Sequence, residues 1–292
     1  MLRTLLFGIV SLAACLTARA ADVEFTPDVV YGNGGGEELK LDVARPKSSD
    51  ATKLPGVVFI HGGAWRAGSR AAHHDDIRRL AGLGFVAATV DYRLAPAHRF
   101  PAQVQDVKCA IRFLRAHAEK YGLDPDHIAV SGISAGGHLA LMLGVTQKED
   151  GLEGDGGWPE QSSAVQAVVA YYPRTDLAAD GFSETVQKDH VNFLGGTAAE
   201  VPEQYRQASP LTYVTPGDAP TLILQGTKDP RVPLTQTTRM IEALTKAGVS
   251  GRAELIFGAG HGWSGAERAR TDAVALAFIQ QHLAPATTRP SR

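Results

Sequence analysis

The sequence is poor in cysteine. Its 292 residues include two, Cys15 and Cys109, and Cys15 lies in a segment that we expect to be cleaved off. An intrachain disulfide is therefore excluded in the mature chain. Hydrophobic residues make up 44% of the sequence, which is enough for one large core without covalent cross-links.

The chain also lacks an excess of charge of either sign. It has 29 Lys and Arg against 31 Asp and Glu, a formal net charge of −2 at pH 7. No basic stripe indicates a nucleic-acid partner. After Ala20, every apolar run is shorter than the roughly 20 residues of a membrane-spanning helix. These absences favour an ordinary globular protein that does not bind nucleic acid.

The first 20 residues differ from the rest in composition. Arg3 precedes an apolar stretch from Leu5 to Ala14, and the small-residue site Ala-Arg-Ala occupies positions 18–20. This order is typical of a secretory signal peptide, so we expect cleavage after Ala20 and a secreted or periplasmic protein. Residues 21–292 would then form a single catalytic domain, because no linker or internal repeat divides them.

A lipoprotein is the alternative for the same segment. Residues 12–15 (Leu-Ala-Ala-Cys) are similar to a bacterial lipobox. Processing at that site would leave lipid on Cys15 and tether the protein to a membrane. We expect a membrane partner only in that case, and the sequence does not indicate an oligomeric state.

Short apolar runs alternate with helical patterns along most of the chain. This alternation predicts an α/β fold with a mostly parallel, eight-stranded sheet and helices on both faces. An antiparallel hairpin is expected at one edge, from residues 23–31 and 38–43 with a glycine-rich turn between them. The other predicted strands cover residues 57–60, 85–90, 128–130, 165–170, 221–224 and 254–257.

One helix and two irregular segments are also predicted. Pro101 opens a helical pattern in which apolar residues follow the 3.6-residue period, and Gly122 closes it. Residues 146–163 and 174–219 show no such period, so we expect long loops there. Little sequence precedes the first parallel strand, so no large cap domain is expected.

Residues 132–136 (Gly-Ile-Ser-Ala-Gly) contain the most informative motif. The serine follows a predicted strand and opens a helical run of small residues. This pattern describes a tight turn in which Ser134 has a strained backbone and both flanking glycines avoid a steric collision. Because the pentapeptide alone can arise by chance, its partners must decide whether Ser134 is a nucleophile.

A serine nucleophile needs a general base, and an acid that orients the base. Asp229 and His261 each directly follow a predicted strand, in the chain order nucleophile, acid, base. Asp218 competes as the acid but precedes its strand, and His138 competes as the base but lies on the helix after the serine. We therefore predict Ser134, Asp229 and His261 as the catalytic residues.

Backbone N–H groups are predicted to complete the site. Residues 61–65 (His-Gly-Gly-Ala-Trp) directly follow the strand at residues 57–60. Glycine lets a backbone N–H approach a substrate oxygen closely. Gly62, Gly63 and Ala135 are therefore predicted to form the oxyanion hole of an acyl-transfer reaction.

At this point the chain resembles the α/β-hydrolase superfamily, within its esterase/lipase group related to hormone-sensitive lipase and to feruloyl and acetyl esterases (BD-FAE type). The resemblance implies the catalytic and oxyanion roles given above. Ala64 in place of a third glycine and Ile133 in place of an aspartate favour the feruloyl- and acetyl-esterase branch. The residues that carry the resemblance are 61–63, 91–96, 132–137, 226–229 with 232–234, and 260–262, with 153–157 and 209–211 pointing to that branch.

Other residues were weighed for binding roles. Trp65 and Trp263 stand beside the predicted catalytic loops and are candidates for stacking on a sugar ring or a feruloyl group. Residues 73–76 (His-His-Asp-Asp) have metal-ligand types, but neighbouring helix positions point in different directions, which favours a solvated helix start. Cys109 is expected to be a packed residue. No metal and no organic cofactor is implied.

The sequence thus predicts a secreted serine carboxylesterase that forms an acyl-enzyme. Its expected substrates are short-acyl or aromatic esters of acetyl or feruloyl type, either small molecules or esters on plant polysaccharides, bound in a shallow, open site. The alternatives are a lipase or a serine peptidase of the same fold, and a non-catalytic binding module with this fold.

Overall fold

The computed structural model describes residues 22–48 and 53–284. The predicted signal peptide and Cys15 lie outside the described residues. The strands are β1 (Val23–Gly34), β2 (Glu37–Pro46), β3 (Leu54–Ile60), β4 (Val86–Val90), β5 (Leu123–Ile133), β6 (Ala167–Tyr171), β7 (Thr221–Gly226) and β8 (Gly251–Ile256). The helices are α1 (His74–Gly82), α2 (Ala102–Ala116), α3 (Ala118–Tyr121), α4 (Ala135–Val145), α5 (Glu184–Leu194), α6 (Pro202–Gln207), α7 (Leu234–Lys246) and α8 (Gly265–Leu283).

The strands form one sheet in the order β1-β2-β4-β3-β5-β6-β7-β8. β1 pairs antiparallel with β2, and β2 pairs antiparallel with β4, whereas every other pair in the sheet is parallel. The predicted mostly parallel sheet with an antiparallel hairpin at its edge is confirmed. Because parallel strands run in one direction, the loops after β3, β5, β6, β7 and β8 meet at one edge of the sheet.

Side chains of alternate residues point to opposite faces of the sheet, and both faces are covered. Val58 and Ile60 of β3 belong to a buried cluster that includes residues of α2, α4 and α7. Val57 and Phe59 belong to a second cluster that includes residues of α1 and α8. Burial on both faces explains why the central strands are almost continuously apolar.

Two predictions about the connections were wrong in detail. The helix predicted from Pro101 to Gly122 is divided at His117 into α2 and α3, although Gly122 does end it in a left-handed conformation, with φ +67°. The segment 174–219 is not an irregular loop, because it contains α5, α6 and a 3₁₀ turn at Pro210–Tyr213. Segment 146–163 has one such turn, at Lys148–Asp150.

Helix length and polarity were also compared with what a bilayer requires. Across residues 22–48 and 53–284, no helix combines the length and the apolar character needed to cross a membrane.

Candidate active site

Ser134 lies in the turn between β5 and α4, with φ +55° and ψ −115°. A Cβ atom on Gly132 would overlap the carbonyl oxygen of Gly136, and a Cβ atom on Gly136 would overlap that of Ile60. The Ser134 N–H donates to the carbonyl oxygen of Tyr171 at 2.9 Å. The two glycines therefore let α4 pack against the ends of β5 and β3 while the serine stands between the two elements.

The structure brings His261 and Asp229 to this serine. His261 Nε2 is 2.9 Å from Ser134 Oγ, and His261 Nδ1 is 2.8 Å from Asp229 Oδ2. An ionised carboxylate can only accept, so we assign the proton of the neutral ring to Nδ1, which leaves Nε2 to accept the serine hydroxyl. The three side chains form one continuous hydrogen-bonded chain.

The carboxylate of Asp229 is fixed by the loop that carries it. The N–H groups of Arg231 and Val232 donate to Oδ1 at 2.8 and 3.0 Å, and the Gln225 side-chain amide donates to Oδ2 at 3.1 Å. Burial raises the pKa of Asp229, but the hydrogen bond and charge of His261 outweigh it, so the pKa lies below its usual range. Asp229 is therefore ionised at neutral pH and can stabilise positive charge on the imidazole.

The three predicted oxyanion donors surround the serine turn. Ala135 is the first residue of α4, so its N–H has no partner within the helix. A Cβ atom on Gly62 would overlap the carbonyl oxygen of Ile133 and stand 3.5 Å from Ser134 Cβ. Gly63 has φ +122°. The loop after β3 thus lies directly against the nucleophile turn, and the oxyanion role of these residues stays a prediction.

The competing acid and base are engaged elsewhere. Asp218 accepts hydrogen bonds from the N–H and the hydroxyl of Thr215, at 2.8 and 3.0 Å, just before β7 begins. His138 is buried on α4, where its Nδ1 accepts from Trp65 Nε1 at 3.2 Å and its Nε2 donates to Ala208 at 2.7 Å. Both side chains are held away from the Ser134 hydroxyl, as expected.

The two tryptophans differ in their surroundings. Trp65 is 0% exposed and stacks on Phe193 of α5, with ring centroids 4.1 Å apart. The expectation that Trp65 stacks on substrate is therefore wrong, because neither face of its ring is open. Trp263 is half-buried, and its Nε1 donates to Thr271 Oγ1 at 2.8 Å. Its contact with substrate stays a prediction.

Sequence reasoning missed Tyr172. This residue follows β6 directly, and its ring centroid lies 4.5 Å from that of His261, with the two planes tilted by 57°. Burial raises the pKa of Tyr172 to about 12, so the phenol is neutral beside the imidazole. Its position at the end of a parallel strand was the available signal, since no motif contains it.

The remaining candidates are structural. The start of α1 is less solvated than expected, because His73 is buried and its Nδ1 lies 2.8 Å from Asp76 Oδ2. Among the residues that the structure describes, no group of His, Cys, Asp and Glu is arranged to hold a metal ion. Cys109 is buried on α2, and burial raises the pKa of its thiol to about 11.

Comparison with known proteins places this geometry in a family. The model of the BD-FAE family matches residues 41–244 of the chain, which span β2 to α7. The chain belongs to the BD-FAE family. The match includes Ser134 and Asp229, and His261 follows it.

Similar proteins outside the family model are esterases by name. Esterase LipC of Mycobacterium tuberculosis is 38% identical over 87% of this chain, and the match covers 64% of LipC. Esterase LipQ of the same organism is 34% identical over 77% of this chain and 54% of LipQ. The chain thus spans about half to two thirds of the length of these curated relatives.

Solved structures share the BD-FAE chain's architecture. The truncated form of a carbohydrate esterase from gut microbiota has a TM-score of 0.73 at 27% identity, covering 87% of this chain and 95% of that one. The propionate-bound esterase Est2 of Thermogutta terrifontis has a TM-score of 0.74 at 29% identity, covering 92% and 97%. The fold is that of the α/β-hydrolase esterases.

Proposed function

We propose that the protein is a carboxylic ester hydrolase in which Ser134 is the nucleophile, His261 the general base and Asp229 the acid that orients it. The observation that carries this proposal is the hydrogen-bonded chain from Ser134 through His261 to Asp229 at the strained turn after β5. Membership of the BD-FAE family and the esterase names of the relatives support it.

The geometry supports a two-step reaction. Ser134 Oγ attacks the ester carbonyl carbon while His261 Nε2 takes the hydroxyl proton, and Asp229 stabilises the imidazolium that forms. The imidazolium then returns the proton to the departing alcohol, which leaves an acyl-enzyme. Water, deprotonated by the same imidazole, attacks the acyl carbonyl and releases the acid and the free serine.

Negative charge develops on the carbonyl oxygen in both steps. The N–H groups of Gly62, Gly63 and Ala135 are proposed to bind this oxyanion. Removal of one such donor typically costs roughly 3–4 kcal/mol of transition-state stabilisation. Because these donors belong to the backbone, substitutions act on them through the conformation of the loop.

We further propose short-acyl or aromatic esters as substrates, of acetyl or feruloyl type, including those on plant polysaccharides. The family match and the carbohydrate esterase among the structural neighbours support this choice. We also propose export with cleavage after Ala20. The intact mass of the exported protein tests this, and a lipid-modified chain beginning at Cys15 would overturn it.

Substitution of the nucleophile tests the catalytic assignment. Ser134→Ala is expected to lower kcat/KM for p-nitrophenyl acetate by roughly 10⁴-fold or more, because no other group can form the acyl-enzyme. Ser250→Ala is the matched control, since Ser250 is exposed just before β8, at the opposite edge of the sheet. Retained turnover in Ser134→Ala, with an unchanged circular dichroism spectrum, would remove Ser134 from the mechanism.

A substrate panel separates the proposed activity from its rivals. It contains p-nitrophenyl esters of increasing acyl length, methyl ferulate, acetylated xylan and aminoacyl anilides. We expect the highest kcat/KM for acetyl or feruloyl esters. A preference for long acyl chains would indicate a lipase, preference for anilides a peptidase, and an inert wild-type protein a binding module.

A further inference from the structure

Three arginines converge on one buried carboxylate. Asp189 of α5, with a side chain 3% exposed, accepts hydrogen bonds from Arg66 Nε at 3.2 Å and Arg231 Nη2 at 2.9 Å. Arg174 Nη2 lies 3.7 Å from the same carboxylate. We call Arg66, Arg174, Arg231 and Asp189 the arginine cluster. It sets three positive charges against one negative charge.

The arginine cluster stands between the loops that form the proposed active site. The Arg66 N–H donates to the carbonyl oxygen of Gly63 at 3.1 Å, within the loop after β3. The Arg231 N–H donates to Asp229 Oδ1 at 2.8 Å, within the loop after β7. Two of the three guanidinium groups are thus attached to the segments that carry an oxyanion donor and the orienting acid.

Arg174 has hydrogen-bonding capacity that the protein does not use. Its side chain is 1% exposed and packs over the ring of Trp65, 4.8 Å from the ring centroid. None of its three guanidinium nitrogens has a hydrogen-bond partner within residues 22–48 and 53–284. A buried cation with unpaired donors is costly, and an anion that approached it would reduce that cost.

The other two guanidinium groups give access from solvent. The side chains of Arg66 and Arg231 are 52% and 38% exposed. Each donates to Asp189 through one nitrogen, which leaves further N–H groups of the planar fork open. Such forks match the two oxygens of a carboxylate.

We propose that the arginine cluster binds a carboxylate on the ester substrate, so that the enzyme prefers anionic esters to neutral esters of the same size. This inference rests on ester hydrolysis at Ser134. A carboxylate is favoured over a phosphate because the cluster already holds one planar carboxylate, that of Asp189, between Arg66 and Arg231. The bound substrate group would be a second one, on the solvent side.

Two substrate pairs test the proposal at either side of the ester bond. In the first, 4-acetoxybenzoate is compared with methyl 4-acetoxybenzoate, so that the charge is on the alcohol. In the second, mono-(4-nitrophenyl) adipate is compared with methyl 4-nitrophenyl adipate, so that the charge is on the acyl group. The quantity measured is the ratio of kcat/KM for the charged ester to that for the neutral ester, at neutral pH and low salt.

Charge-neutral variants identify the groups responsible. Arg66→Gln and Arg231→Gln are each expected to lower this ratio by about tenfold for at least one pair, whereas the charge-retaining Arg231→Lys lowers it less. Arg252→Gln removes an exposed positive charge at the start of β8 and should leave the ratio unchanged. Added salt should lower the wild-type ratio, because it screens the exposed guanidinium groups.

The outcomes separate this inference from the proposed function. Equal ratios in the wild type, Arg66→Gln and Arg231→Gln for both pairs would show that the cluster only ties the loops together, and would overturn the inference. A larger effect of these variants on 4-acetoxyphenyl phosphate than on both carboxylate esters would overturn the choice of carboxylate. Absence of turnover of the neutral esters by the wild type would instead overturn ester hydrolysis itself.

Discussion

At the scale of single residues, the His261 imidazole must keep one orientation while it receives and returns a proton. Asp229 fixes the ring through Nδ1 at 2.8 Å, which sets the direction of one ring edge. The ring of Tyr172 packs beside the imidazole at a centroid distance of 4.5 Å. Tyr172 is therefore a positioning residue for the proposed base, acting through van der Waals contact.

Substitution of Tyr172 should separate positioning from binding. Tyr172→Ala is expected to lower kcat by up to roughly 10²-fold with little change in KM, because a displaced imidazole reaches the serine hydroxyl poorly. Tyr172→Phe keeps the ring and should keep most of the activity. The measurement is steady-state kinetics on p-nitrophenyl acetate. An equal loss in both variants would assign the effect to the hydroxyl, and full activity in Tyr172→Ala would contradict the positioning role.

The residues that sequence could reach are those whose position depends on local pattern. Ser134, Asp229 and His261 each follow a strand directly, and parallel strands bring their ends to one edge. Trp65 was misread because its burial depends on Phe193, which is distant in the chain and lies in a segment without a clear period. Tyr172 carries no motif, so its contact with the base required the folded chain.

At the scale of elements, the loop after β3 depends on one glycine. Gly63 has φ +122°, and a Cβ atom there would overlap the carbonyl oxygen of Ala67. The N–H groups of Arg66 and Ala67 both donate to the carbonyl oxygen of Gly63 at 3.1 Å. A side chain at this position would therefore open the turn that presents the proposed oxyanion donors.

Gly63→Ala and Gly84→Ala form a matched pair. Gly84 also has a positive φ, +92°, but a Cβ atom there meets no heavy atom within 4 Å among the described residues. Both variants should lose about 1–2 kcal/mol from backbone strain, whereas Gly63→Ala should lose more stability and also lower kcat/KM by roughly 10²-fold or more. Urea unfolding and ester kinetics measure the two effects. Equal kinetics in the two variants would contradict the role given to the loop.

The element that sequence missed shows why polarity misleads. The inward positions of α5 include Val186 and Phe193, but also Asp189 and His190, which are buried. Polar residues at inward positions hide the helical period. Their burial is possible because Asp189 is paired with arginines from other parts of the chain, such as Arg66, and no local pattern reports such a partner.

At the scale of the whole molecule, buried histidines link stability to pH. His138 is fully buried between α4 and α5, and burial lowers its pKa to about 4, with a smaller contribution from the charge of Arg174. Burial also lowers the pKa of His190. In the unfolded chain a histidine titrates near pH 6.5. The unfolded state therefore binds protons in a range where the folded state refuses them.

The sign of the pH dependence follows from this difference. Stability from the neutral His138 is fully present above about pH 6.5 and is lost as the pH falls toward about 4, by about 1.4 kcal/mol per pH unit. His138→Gln should lower the free energy of unfolding at neutral pH but make it fall less steeply between pH 6.5 and 5. Urea unfolding at several pH values measures the slope, with the half-exposed His98→Gln as the control.

The same protonation should reach the proposed site. A proton on His138 Nδ1 would remove the acceptor of the Trp65 indole N–H, and Trp65 lies two residues beyond Gly63 in the loop after β3. Loss of ester turnover at acid pH should therefore include a component that follows the loss of stability and is reduced in His138→Gln. A slope identical in the wild type and His138→Gln, together with an unchanged acid limb of kcat, would contradict the assignment of a buried, neutral His138.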